Sequence, residues 1–109
     1  METNLFEPGK VFSFTEKVNY SDGGIVSKKV LQKETGNVTL FAFDSGQKLS
    51  EHTAPFDALV QVLEGEVEII IGGNPNILNK DMSIVMPAGI PHAVNAITPF
   101  KMLLTMIRS

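Results

Sequence analysis

The chain has 109 residues, 43% of them hydrophobic and 19% charged, with seven Phe, one Tyr, no Trp and no Cys. That length suits one domain, and the aliphatic content excludes a disordered chain. A formal net charge of −3 with nine Lys plus Arg argues against nucleic-acid binding, and the missing cysteine excludes disulfides, thiolate zinc sites and thiol nucleophiles.

Taken in chain order, the sequence opens on "METNLFEPGKVF", which has an early Glu, no basic stretch and no apolar run of the signal-peptide kind. No apolar run anywhere approaches the roughly 20 residues that cross a bilayer. The expectation is a soluble, cytoplasmic protein with no membrane and no nucleic acid as partner. Asn4–Glu7 suits a single helical turn, and no later window sustains the 3.6-residue apolar period.

From residue 21 onward, turn signals recur at short intervals: "SDGG" at 21–24, "ETGN" at 34–37, "DSG" at 44–46, "LEG" at 63–65, "GGNPN" at 72–76 and "PAGIP" at 87–91. Between them lie "GIVSKKVLQ", "NVTLFAF", "ALVQVL", "VEIII", "SIVM", "AVNAI" and "FKMLLTMI", all rich in Val, Ile, Phe or Thr. Short β-type runs between close turns predict an antiparallel sandwich or barrel rather than βαβ units. Gly72-Gly73-Asn74-Pro75 suits a hairpin connection, since Gly and Asn accept positive φ and Pro does not.

Two runs carry more detail. In "EVEIII", Glu66 and Glu68 share one face while Val67, Ile69 and Ile71 share the other, so one face is wet and one buried. In "ALVQVL" both faces are apolar apart from Gln61, which predicts cover on the outer face by a second sheet or a partner subunit. A domain this small buries only about two-thirds of its unfolded surface, so an oligomer would add useful burial. A homodimer is therefore expected, packing through sheet edges and the segment Val11 to Phe14.

The segments "GQKLSEHTAPFDALVQVLEG" (46–65) and "DMSIVMPAGIPHAVN" (81–95) resemble the two motifs of the cupin superfamily in its small single-domain form. Gly46, His52, Gly65, Pro87, Gly89 and His92 fall at the family's spacings, and Asn95 follows His92 one residue early. The resemblance spans about residues 37–107. It implies an all-β, double-stranded antiparallel barrel of jelly-roll type, open at one end. Residues 1–20 then form an N-terminal extension to a single cupin domain of 1–109, packed at the dimer interface.

The departures from the motif are as informative as the matches. The second histidine of the first motif falls at Ala54, its glutamate at Ala58, and the opening glycine of the second motif is Asp81. Two of the four side chains that hold metal in typical members remain, His52 and His92. A non-haem iron site usually needs two His and a carboxylate, and a catalytic zinc three protein ligands. Strand alternation places Glu51 and Asp57 opposite to His52, so Asp57 joins the site only if a bulge or the "TAPF" kink re-aims it.

Three functional readings follow. Exchanging a histidine and a glutamate for two alanines gives a roomier, less polar cup, which suits a small and largely apolar ligand or a sensor. The expected pocket is lined by His52, Ala54, Ala58, Val60, Met86 and His92. The alternative is a metal-dependent dioxygenase or isomerase holding a divalent transition metal weakly through His52 and His92, completed by water or Asp57. The third is an interaction protein with a filled barrel. Met82, Met86, Met102 and Met106 read as barrel core, Gln61 as an outer-face residue, and Phe41, Phe43, Phe56 and Phe100 as core or dimer contacts.

Overall fold

The computed structural model describes residues 5–108; Met1 to Asn4, including the start of the expected turn at Asn4–Glu7, and Ser109 lie outside them. A 3₁₀ turn at Phe14–Glu16 precedes nine strands: β1 (Ile25–Lys33), β2 (Gly36–Phe43), β3 (Lys48–His52), β4 (Asp57–Glu64), β5 (Val67–Ile71), β6 (Asn74–Leu78), β7 (Ser83–Met86), β8 (His92–Ala96) and β9 (Phe100–Ile107). All seven runs singled out in the sequence are strands. β3 and β6 are additional.

β6 differs from expectation for a physical reason. The β5–β6 turn is Gly72-Gly73 alone, both at positive φ, and Asn74-Pro75-Asn76 has already entered the strand. β6 is an edge strand paired only with β5, so a residue lacking an N–H is tolerated at Pro75. The Asn76 side chain donates to the Ile69 carbonyl at 3.2 Å and so adds a bond across the pair.

The strands form two sheets, in the orders β1-β2-β9-β4-β7 and β3-β8-β5-β6, and every pairing is antiparallel. Inward residues from both sheets make one cluster: Phe43, Ala58, Val60, Val62, Met86, Phe100 and Met102 from the first, and Val67, Ile69, Leu78, Val94 and Ala96 from the second. Phe43 and Phe100, paired across β2 and β9, stack with centroids 4.7 Å apart. Each such fully buried side chain stabilises the fold by about 1.5–3 kcal/mol.

The alternation in β5 holds as expected, with Val67 and Ile69 buried and Glu68 and Ile70 on the other face. β4 is likewise apolar on both faces, but much of its outer cover comes from the chain itself. Val18, completely buried, packs with Leu40 and Ala42 of β2, and Phe6, Phe14, Leu63 and Leu103 pack around them. Thus the segment before β1 forms a strap over the outer face of the five-stranded sheet.

Charge ties the strap down. The Lys101 ammonium, in a side chain only 9% exposed, donates to the Thr15 carbonyl at 2.6 Å and lies 3.8 Å from Glu64. Lys28 donates to the Lys17 carbonyl at 3.0 Å, and the Tyr20 hydroxyl donates to Glu64 at 2.5 Å. Burial, and after it the Glu64 carboxylate, push the Tyr20 phenol above its ordinary range.

Two motif positions explain themselves here. At Gly65, φ is +82° and a Cβ would lie 2.1 Å from the Pro99 carbonyl oxygen, so no other residue fits. Asp81, standing where the family motif has glycine, keeps the glycine-like backbone at φ +70°, which aspartate tolerates better than most residues.

Candidate ligand site at the barrel mouth

Strand register builds the mouth of the barrel. On the four-stranded sheet one rung runs His52–His92–Ile71 across β3, β8 and β5. On the five-stranded sheet a rung runs Asn37–Met106–Ala58–Met86 across β2, β9, β4 and β7. The short links 53–56 and 87–91 join the two rungs, so both lie at the same end of the sandwich.

A bulge brings His52 into this rung. Leu49 opposes Val94, while His52 opposes His92, so three steps along β3 match two along β8. Without the extra residue, Leu49 and His52 would point to opposite faces. With it, Leu49 packs on the core and the His52 ring meets the His92 ring edge-on, centroids 4.3 Å apart.

Both imidazoles are oriented by their own strands. His52 Nδ1 lies 2.8 Å from the Ser50 carbonyl oxygen and His92 Nδ1 3.4 Å from that of Ile90. A carbonyl only accepts, so each Nδ1 carries a proton, and in the neutral ring the Nε2 then keeps a lone pair. His92 is only 7% exposed; burial, and then the neighbouring His52, lower its pKa below the ordinary imidazole value. The pair therefore presents hydrogen-bond acceptors.

The rim is braced. Gly89 N–H donates to the Ala54 carbonyl at 2.8 Å, Gly72 N–H to the Pro91 carbonyl at 2.8 Å, and Ala88 N–H to Asp57 Oδ1 at 2.9 Å. This last bond decides the fate of Asp57: its carboxylate anchors the Pro87–Pro91 turn. Among the described residues no group of three His, Cys, Asp or Glu side chains comes together.

The residues expected to line one pocket separate into three levels. His52 is exposed at the rim, Ala54 is half-buried in the 53–56 link, and Ala58, Val60, Met86 and His92 are buried. Strand alternation does not carry from His52 to Ala58, because "TAPF" takes the chain from one sheet to the other and the two residues belong to different sheets. Val60 lies a rung deeper, opposite Leu104, in packed core. Met82 departs from the core reading as well: it is 50% exposed, and its sulfur accepts from Asn79 N–H at 3.5 Å. Gln61 is on the outer face, as read from parity.

Sequence reading passed over Asn37 and Thr39. Both are buried, at 9% exposure, and they share the inward face of β2 with Phe41 and Phe43. The signal was available in "NVTLFAF", whose alternate residues are Asn, Thr, Phe and Phe. Burying such groups costs about 1–3 kcal/mol when they are left unbonded. The Thr39 hydroxyl donates to Asn37 Oδ1, at a long 3.4 Å.

An antiparallel jelly-roll barrel with a histidine pair set at its mouth defines a cupin-type protein. The family model for the cupin domain matches residues 39–107, and the chain belongs to that family. It is 36% identical to a conserved protein of unknown function from Streptococcus pyogenes, over 97% of this chain and 93% of that one, with a TM-score of 0.92. It is 44% identical to a cupin 2 conserved barrel domain protein from Leptotrichia buccalis, over 89% of this chain at a TM-score of 0.86; the match spans 47% of that chain. An RmlC-like cupin from Desulfovibrio desulfuricans is 30% identical over 90% of this chain and 95% of that one, at a TM-score of 0.78. A search of the curated proteins finds no match.

The cupin fold often binds metals, and the donors present here test that possibility. Two imidazoles lie with centroids 4.3 Å apart, and among the described residues no carboxylate joins them in a group of three donors. A resident catalytic zinc or non-haem iron needs at least one more protein ligand. The set does not fit a resident metal of the usual kind.

Proposed function

We propose that this cupin binds a small, largely apolar molecule, holding its polar end at the Nε2 atoms of His52 and His92. The single observation that carries the reading is the oriented histidine pair: both Nδ1 atoms are engaged by strand carbonyls, so both acceptors are available at the mouth. Ala58, Met86 and Ile71 supply apolar surface beside them. Below that level Phe43, Phe100 and Val60 fill the barrel, so the ligand is a small one seated near the rim.

The test is a panel of small alcohols, ketones and acids read by thermal shift and by imidazole ¹⁵N resonances. Compounds that stabilise the protein should shift the Nε2 signals, and His52→Ala or His92→Ala should abolish the stabilisation. Stabilisation that survives both substitutions places the ligand elsewhere and ends this reading.

The second reading is a weakly held divalent transition metal, supported by the twin acceptors and completed by solvent. Elemental analysis of tag-free protein purified without chelators checks it, with a near-stoichiometric metal favouring an enzyme over a binder or sensor. The working unit in either case is taken as a cytoplasmic homodimer. Leu31, Val85 and Ile107 support it, being exposed on the part of the outer face that the strap leaves open. Sedimentation at micromolar concentration showing a single-subunit mass overturns the dimer. Among the described residues, no helix is long and apolar enough to cross a membrane.

A further inference from the structure

The strap covers only part of the outer face of the five-stranded sheet, and strand register shows where it stops. The row Lys28–Leu40–Leu103, across β1, β2 and β9, meets the strap: Lys28 holds the Lys17 carbonyl and the two leucines pack with Val18. The next row toward the mouth is Leu31–Val38–Thr105–Leu59–Val85, one outward residue from every strand. It carries no charge, and none of its side chains packs in the strap cluster or the barrel core. Leu31 and Val85 are each 58% exposed, and Ile107, one row further on, is 66% exposed.

The strap has an uncovered apolar side of its own. Val11 is fully exposed, and Phe12 is 37% exposed although it meets Phe6 and Phe14 edge-on. The sheet edges, by contrast, are guarded against pairing. β1 carries Lys28, Lys29 and Lys33 beside a bulge, and β7 is four residues long and stops at Pro87. What stays open is a raised apolar strap beside a recessed apolar row, on one face of one chain. A step of that form fits a second copy of itself.

We propose that this face is the interface of a two-fold dimer, in which the strap of each copy lies, through Val11 and Phe12, on the Leu31–Val85 row of the other. The two-fold axis runs across the strands, in the plane between the two sheets. The straps then lie side by side and form one shared layer. The row spans four strand spacings, about 19 Å, a distance that about six extended residues cross. Two such contacts, each about 20–25 Å by about 15 Å, cover about 600–750 Å² per copy. That is close to the roughly 800 Å² that each partner gives to a standard interface. The inference rests on the homodimer reading above, to which it gives a surface, and is independent of the ligand.

The chain has no cysteine of its own, so Lys10→Cys, exposed beside Val11, places a single nitroxide on the strap of the full chain. The spin-labelled protein, free of ¹⁵N, is mixed with ¹⁵N-labelled unmodified protein at a concentration where sedimentation gives a two-subunit mass. The expected result is intermolecular broadening of the Leu31, Val38, Leu59 and Val85 amides, while those of β6, at an edge of the other sheet, stay sharp. Val11→Asp and Val85→Asp, both at exposed positions, should each weaken the dimer about tenfold or more, since either buries an unpaired carboxylate. A two-subunit mass with no broadening in the row overturns this inference and leaves a homodimer built on another surface. A dimer that Val11→Asp leaves at full strength overturns it as well. A single-subunit mass at micromolar concentration overturns the homodimer too, and none of these outcomes touches the ligand reading at the mouth.

Discussion

The two faces of the five-stranded sheet are buried by different means. The inner face packs against a second sheet through Val60, Val62, Phe43, Phe100 and Met102, all fully or almost fully buried. The outer face is covered by a strap of irregular backbone, in which Val18 is fully buried while Val11 stands fully exposed. One face relies on area and close packing. The other adds a few directed bonds from Lys101, Lys28 and Tyr20 to a modest apolar contact. The lesson is that a strand apolar on both sides demands cover but does not specify whose.

Substitutions on each face should separate these two modes. The largest effect is expected from Phe100→Ala, which opens a cavity under the stacked Phe43 and should cost about 3–5 kcal/mol by urea unfolding. Lys101→Met should cost about 2 kcal/mol, since the Thr15 carbonyl loses its donor while the aliphatic stem is kept. In that variant the imidazole resonances should stay where they are. If they move, the strap and the mouth are coupled and the faces are not independent. Tyr20→Phe should cost less than about 1 kcal/mol, because Glu64 is partly open to water.

A fourth test concerns pH and belongs to the inner face alone. His92 titrates below its ordinary value in the folded chain, so between its folded and unfolded values the unfolded state binds more protons. Stability should be full above about pH 6.5, fall as pH drops below it, and level off once His92 charges in the native state. His92→Gln should flatten that slope. Equal slopes in the two proteins would mean that another group carries the dependence.

The sequence made some of this molecule legible and hid the rest for identifiable reasons. Seven of nine strands stand out because Val, Ile and Phe alternate between turn residues, and both motif histidines meet in space at the spacings the family resemblance implies. β3 was hidden because "KLSEH" is polar on all but one side chain, and β6 because Asn-Pro-Asn contradicts strand propensity that an edge position forgives. The facing of His52 depends on a bulge at β3, which pairing register reveals and alternation does not. Asp57 looked like a ligand in reserve; only the 2.9 Å bond from Ala88 shows it already employed in the rim. Asn37 and Thr39 could have been found, had the parity of "NVTLFAF" been weighed for what is polar as well as what is apolar.

The bond between Lys101 and Thr15 bridges 86 positions, and β9, which carries Lys101, is also the sole link between β2 and β4 in their sheet. The strap precedes β1, and its docking surface is complete only when β9 has joined β2, because Leu103 and Lys101 come from that strand. Val18 can meet Leu40 and Ala42 of β2 before that, but the Thr15 anchor must wait for Lys101. The interval between pairing β1 with β2 and seating the strap is thus when the apolar outer face of this small barrel is most open to aggregation.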